Sequence, residues 1–156
     1  MFSAIWGTNQ TGQEFRMQEN VDITDVKVYV AKNANPNPAD ALTVALVDTT
    51  TNTEIESGVL VTPTQVSRTF QYFTFTFSVE RTLEAGKTYR LVLRSPGSAS
   101  NRAYVVNREI TQNSAEFRGE TFLGEDSSLS TSGDGGSSWA ATLEADLGGV
   151  VFTRII

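Results

Sequence analysis

The stretch from Phe70 to Leu93 constrains the fold of this chain more than any other. Phe73, Phe75 and Phe77 alternate with Thr74, Thr76 and Ser78, and the pattern resumes after a short turn as Lys87-Thr-Tyr-Arg-Leu-Val-Leu93. Side chains of a strand point alternately to opposite faces, so the three phenylalanines share a dry face and the hydroxyl residues a wet one. The loop Arg81-Thr-Leu-Glu-Ala-Gly86 places a glycine where the chain must turn back. The pattern predicts a hairpin in the core of a β-sandwich.

The flanking segments repeat the theme. Gln13 to Gln18 reads as a first strand, Val21 to Ala31 as a second with Val26, Val28 and Val30 on one side and Lys27 and Tyr29 on the other, and Leu42 to Asp48 as a third. Asn33-Ala-Asn-Pro-Asn-Pro38 breaks the run, because proline fixes its own φ and biases the preceding residue away from helix. A polar turn at Thr49 to Thr53, a short strand at Gly58 to Val61, a strand within Asn101 to Arg108 and a C-terminal strand at Val150 to Ile156 follow. Glu109 to Gly119 has room for a turn of helix. The serine- and glycine-rich Gly124 to Ser138 reads as a long loop inside one domain spanning residues 1–156. No segment carries a sustained helical stripe, so the expected fold is all-β: a two-sheet antiparallel sandwich, jelly-roll-like.

Composition narrows the chemistry. Histidine and cysteine are both absent, which removes the commonest general base, disulfides, thiolate metal sites and every serine–histidine or cysteine–histidine pair. Twelve basic against eighteen acidic residues leave a net charge of −6, which repels a phosphate backbone, so no nucleic-acid partner is expected. No run approaches the ~20 apolar residues of a helical membrane span, and Met1-Phe-Ser-Ala-Ile-Trp-Gly7 lacks the basic start and apolar core of a signal peptide.

The order of features carries a resemblance. Gly12-Gln-Glu-Phe15, Ile23-Thr-Asp-Val-Lys-Val-Tyr-Val30, Asn35-Pro, Leu42-Thr-Val-Ala-Leu46, an aromatic strand, Leu83-Glu-Ala-Gly-Lys-Thr-Tyr-Arg-Leu-Val-Leu93 and Gly135-Gly-Ser-Ser-Trp139 follow one another. The series resembles the β-sandwich domains of bacterial and archaeal surface proteins with variable anchors, which are similar in shape to carbohydrate-binding modules. The resemblance implies a non-catalytic module displayed outside cells. An exterior-type domain without an export signal points to release by lysis within a virus particle. The expectation is therefore a virion structural protein, a capsid decoration, fibre or tail component, partnered with copies of itself or with a lattice protein and assembling through its edges and termini. The alternative is a carbohydrate-binding module of a cell-surface protein. Either way no enzymatic activity and no cofactor is expected, and the place of work is a virion exterior or an extracellular surface.

Ser132-Gly-Asp-Gly-Gly-Ser-Ser-Trp139 fits the Asp-box, Ser/Thr-x-Asp-x-Gly-x-Thr/Ser-Trp, with Ser132, Asp134, Gly136, Ser138 and Trp139 at its defining positions. In the proteins that share it the aspartate binds backbone inside a hairpin turn, so a structural role is expected. Glu125, Asp126 and Asp134 offer hard oxygen ligands for calcium, although their spacing matches no EF-hand. Glu109, Glu116 and Glu120 are the carboxylates a glycosidase would draw on, but an acidic solvated surface explains them as well. Trp6, Tyr29, Tyr72 and Tyr104 are candidate glycan or interface contacts, since aromatic rings grip sugars and line subunit contacts. The apolar ends Phe2 to Trp6 and Val150 to Ile156 are expected to pair within the sandwich or with a neighbouring copy.

Overall fold

The computed structural model describes residues 2–109, 116–118, 127–142, 146–147 and 150–154. Thirteen strands lie among them in chain order: β1 (Phe2–Ile5), β2 (Gln10–Arg16), β3 (Val21–Lys32), β4 (Leu42–Asp48), β5 (Thr53–Val61), β6 (Gln71–Leu83), β7 (Thr88–Arg94), β8 (Tyr104–Glu109), β9 (Glu116–Arg118), β10 (Ser127–Ser132), β11 (Ala140–Thr142), β12 (Asp146–Leu147) and β13 (Val150–Arg154). None of the described residues is helical.

The pairing has a simple logic. β1 pairs with β8, β2 with β7, β3 with β6 and β4 with β5, each antiparallel. This is one long hairpin with its tip between β4 and β5, rolled over so that successive rungs fall alternately into two facing sheets. The first sheet holds β1-β8-β3-β6 and the second β2-β7-β4-β5, the strand order of a jelly roll. The remaining strands extend both layers. β13 lies beside β3 with β9 parallel to it, β12 pairs with β8, and β10 and β11 continue the second sheet beyond β2.

Alternation sets the core. On β3, Val26, Val28 and Val30 are buried while Lys27 is exposed. A register shift between Ile23 and Asp25 absorbs Thr24, so Ile23 also turns inward despite its odd spacing from Val26. From the opposite sheet Phe15, Tyr89, Leu91 and Leu93 meet this face. The Phe15 ring packs edge-on against Phe152 at 5.5 Å between centroids. Each of these leucines stabilises the fold by about 1.5–3 kcal/mol through burial. The apolar ends pair inside the molecule, β1 with β8 and β13 with β3.

Two expectations need correction. The Phe70–Leu93 stretch is no hairpin: β6 pairs with β3 and β7 with β2 and β4, in different sheets. Alternation shows that each strand has one dry face, and two dry faces are satisfied as well by facing each other across a core as by lying side by side. The connection between β6 and β7 is an arch over the end of the sandwich, where Gly86 takes φ +81° and its N–H donates to the Met17 carbonyl at 2.8 Å. The second correction concerns Gly124 to Ser138, which contains β10. Leu129, fully buried, is the single apolar residue of this strand, and serine and threonine fill the rest. A strand so poor in β-branched and aromatic side chains escapes propensity, and only its pairing with β2 reveals it. Of the segment Glu109 to Gly119, residues 110–115 and 119 lie outside the described residues, and residues 116–118 form a strand.

One side of the sandwich is closed by a clasp. β5 and β6 are edge strands of opposite sheets, and Glu56 of β5 accepts from the Ser78 N–H at 2.8 Å, the Ser78 hydroxyl at 3.1 Å and the Arg81 guanidinium at 2.7 Å. Partial burial pushes the Glu56 carboxyl upward, but the Arg81 and Ser78 hydrogen bonds outweigh it and hold the pKa below the ordinary value. Gly58 is needed here: a Cβ would lie 2.5 Å from the Phe75 ring.

Candidate functional site

The two outer faces of the sandwich carry different chemistry. On the second sheet the turn between β10 and β11 is the Asp-box. Ser132 donates its hydroxyl to Asp134 Oδ1 at 2.8 Å and accepts from the Gly136 N–H at 2.9 Å, while the Ser138 N–H donates to Asp134 Oδ1 at 2.9 Å and the Ser138 hydroxyl to Oδ2. The Ser138 bonds, backed by Ser132, hold the Asp134 carboxyl down at about 2. Gly135 and Gly136 both take positive φ, and the Gly135 N–H donates to the Thr8 carbonyl at 3.0 Å, which ties the turn to the loop between β1 and β2.

Asp134 therefore spends its oxygens on its own turn. Of the other two calcium candidates, Glu125 and Asp126 lie outside the described residues, and among the described residues no three acidic side chains gather as a metal site would require. The glycosidase candidates fall on different strands or outside the described residues. Glu109 stands on β8 opposite Asp146 and Glu116 on β9 opposite Val151, while Glu120 lies outside the described residues.

Trp139 leaves the turn and meets Arg90, whose guanidinium carbon sits 4.5 Å from the centre of the indole. Beside them, on the outer surface of the second sheet, is an open cleft of about 190 Å³ lined by Gln10, Glu54, Arg90, Arg94, Gly136 and Trp139 among others. Its walls follow from register. Across the sheet Glu14 faces Arg90 and Gln10 falls in line with Arg94, with the small Gly12, Val92 and Ala45 in the row between. Long side chains on both flanks of a row of small ones make a trough. Arg90 bonds Glu14 at 2.7 Å and Arg94 bonds Glu54 at 2.7 Å, so each guanidinium is fixed by a carboxylate.

The outer face of the first sheet carries an aromatic row beside polar positions such as Lys27, Thr74 and Thr76. Phe2, Phe70, Tyr29 and Tyr72 form a continuous row, with centroid distances of 5.4 Å for Phe2–Phe70, 5.2 Å for Tyr29–Phe70 and 4.8 Å for Tyr29–Tyr72. Interplanar angles of 23° and 21° stack Phe70 between Phe2 and Tyr29. The inner rings thus spend their faces on one another. Phe2 is 61% and Tyr72 48% exposed, so the row ends in solvent.

Of the four aromatic candidates, the structure brings Tyr29 and Tyr72 together and separates the others. Tyr104 is a correction: it is fully buried, its hydroxyl donating to the Asp40 carbonyl at 2.7 Å, and burial lifts its pKa to about 12. A tyrosine inside the core touches no surface ligand. Its position in β8 alternates in phase with Val106, which also points inward. Trp6 is half-buried in the turn between β1 and β2, where it and Asn9 exchange backbone hydrogen bonds. Phe2 and Phe70 complete the row unforeseen. The available signal was phase, since Phe70 shares the even-numbered register of Tyr72 and opposes Phe73, Phe75 and Phe77.

Fold and site together define an all-β jelly-roll sandwich with a polar cleft on one outer face and an aromatic row on the other. Compared with known proteins, the chain matches no protein-family profile and no curated protein.

Proposed function

We propose that this protein is a non-enzymatic structural module of an exterior surface, foremost a virion component such as a decoration, fibre or tail subunit, that works by docking its aromatic row against a copy of itself or a lattice protein. The observation that carries the reading is the row Phe2–Phe70–Tyr29–Tyr72, a contiguous aromatic strip on the outside of a sheet with both ends in solvent. Exposed apolar strips of this kind mark interaction surfaces, and aromatic residues are enriched in them. The stacking geometry favours protein over sugar on this face. A pyranose needs a free ring face, and here the inner rings cover each other's. Jelly-roll architecture is itself frequent in capsids and lectins. The resemblance to sandwich domains of surface proteins belongs to the same reading.

Sedimentation velocity over a wide concentration range, on the wild type and on a Phe2→Ser/Tyr72→Ser double variant, tests it together with mass spectrometry of purified particles. The expected result is self-association or particle incorporation that the double variant loses while keeping its melting temperature within a few degrees. A wild type that stays monomeric and is absent from particles and surface lattices would sink the proposal.

A further inference from the structure

The cleft on the second sheet is polar where the row is apolar, and its chemistry points to a different kind of ligand. Arg94 donates to Glu54 at 2.7 Å, and the two remain partly exposed at 32% and 43%. The Arg94 hydrogen bond holds the Glu54 carboxyl below its ordinary pKa, so at neutral pH it is an acceptor lying beside a donor. The pair carries no net charge. A charged ligand therefore gains little Coulombic attraction from the pair as a whole, whereas the hydroxyls of a vicinal diol, each of which both donates and accepts, can bridge the two groups as they stand.

The remaining walls suit the same ligand. Trp139 supplies an amphipathic ring, held in place by the Arg90 guanidinium 4.5 Å from its centre. Arg90 is in turn fixed by Glu14, its stem lying over Gly12, where an added Cβ would come within 3.0 Å of the arginine Cγ. Gln10, 9% exposed, presents its amide beneath Gly136, with Oε1 at 3.1 Å from where a Cβ there would stand. These groups are preorganised, which lowers the ordering cost of binding. The volume of about 190 Å³ is below the roughly 300–1,000 Å³ of drug-sized pockets and suits a single ring.

We infer that the trough between Trp139 and the Arg94–Glu54 pair is a subsite for one neutral pyranose unit of a glycan. It lies on the sheet opposite to the aromatic row and stands independently of the assembly reading. A protein with both would be fixed to its lattice through one face and present sugar binding on the other.

The test is a chemical-shift titration of the full chain with three neutral probes, the methyl glycosides of glucose, galactose and mannose, and one anionic probe, N-acetylneuraminic acid. The expected result is saturable movement of the Gly135 and Gly136 amides and the Trp139 indole N–H at millimolar concentration with at least one neutral glycoside. Arg94→Met, which removes the guanidinium and keeps an aliphatic stem, is expected to weaken that binding about tenfold or more, equivalent to one lost polar contact. Trp139→Phe retains a ring for the turn to pack on and is expected to weaken it as well, read from the glycine amides. The inference is overturned if no neutral glycoside moves the cleft resonances, if only N-acetylneuraminic acid does, or if Arg94→Met binds as the wild type does.

Discussion

Removing the Asp134 carboxylate takes the acceptor from the Ser132 hydroxyl and from the N–H and hydroxyl of Ser138, and leaves two left-handed glycines without the group that fixes the turn. Asp134→Ala is therefore expected to lower the melting temperature by a few degrees at neutral pH. The pH dependence has a definite sign. A carboxyl whose folded pKa is depressed to about 2 stabilises the fold fully above its unfolded value near 4, and that contribution fades as pH falls from about 4 through 2. Melting curves of wild type and Asp134→Ala should run parallel above about pH 5 and converge toward pH 2. Curves that stay equally separated down to pH 2 would mean that the carboxylate charge is irrelevant to the turn. This box was legible in the sequence because its parts are contiguous, from Ser132 to Trp139. The destination of Trp139 was not, since Arg90 lies far away in the chain and reaches it through the pairing of β7 with β2 and of β2 with β10.

At the scale of elements the weak point of any two-sheet sandwich is its open edge, and Glu56 bridges it here. Glu56→Ala removes the partner of Arg81 and of the Ser78 N–H together, and with the Glu56 side chain 14% exposed the loss is expected to destabilise by about 1–3 kcal/mol. Urea denaturation would show it as a lower midpoint with an unchanged slope. A variant as stable as the wild type would place the closure elsewhere, in the contact of Gly58 with Phe75. The strands themselves show how far sequence reaches. β3, β4 and β7 stood out because their valines and leucines alternate, whereas β10 did not, because one leucine among serines carries no period. Pairing partners were beyond reach for a physical reason: hydrogen bonds between strands are made by backbone, which is the same for every residue. Thus β6 and β7, adjacent in sequence and each with a clear dry face, fall in different sheets.

For the whole molecule, the same topology places the aromatic row and the polar cleft back to back. The row is assembled from β1, β3, β6 and the residue before β6, and the cleft from β2, β4, β5, β7 and the β10–β11 turn. Neither is visible as a motif, because each gathers its residues from several strands that lie far apart in the chain. The nested pairing also has a consequence in time. Asp48 lies opposite Thr53 at the tip, across a turn closed in a few residues, whereas Phe2 at the outermost rung lies opposite Asn107. Bringing distant segments together costs chain entropy that rises with the length of the loop closed, unless inner rungs have already shortened it. The favoured order of formation is a zipper running from β4–β5 outward through β3–β6 and β2–β7 to β1–β8. Pulse-labelled hydrogen exchange during refolding should then protect the amides of β4 and β5 first and those of β1 last; simultaneous protection would refute the order. A chain emerging from the ribosome would meet the same constraint: β1, made first, waits for β8 before it has a partner, and with it the exposed ring of Phe2 stays unanchored until most of the sandwich already exists.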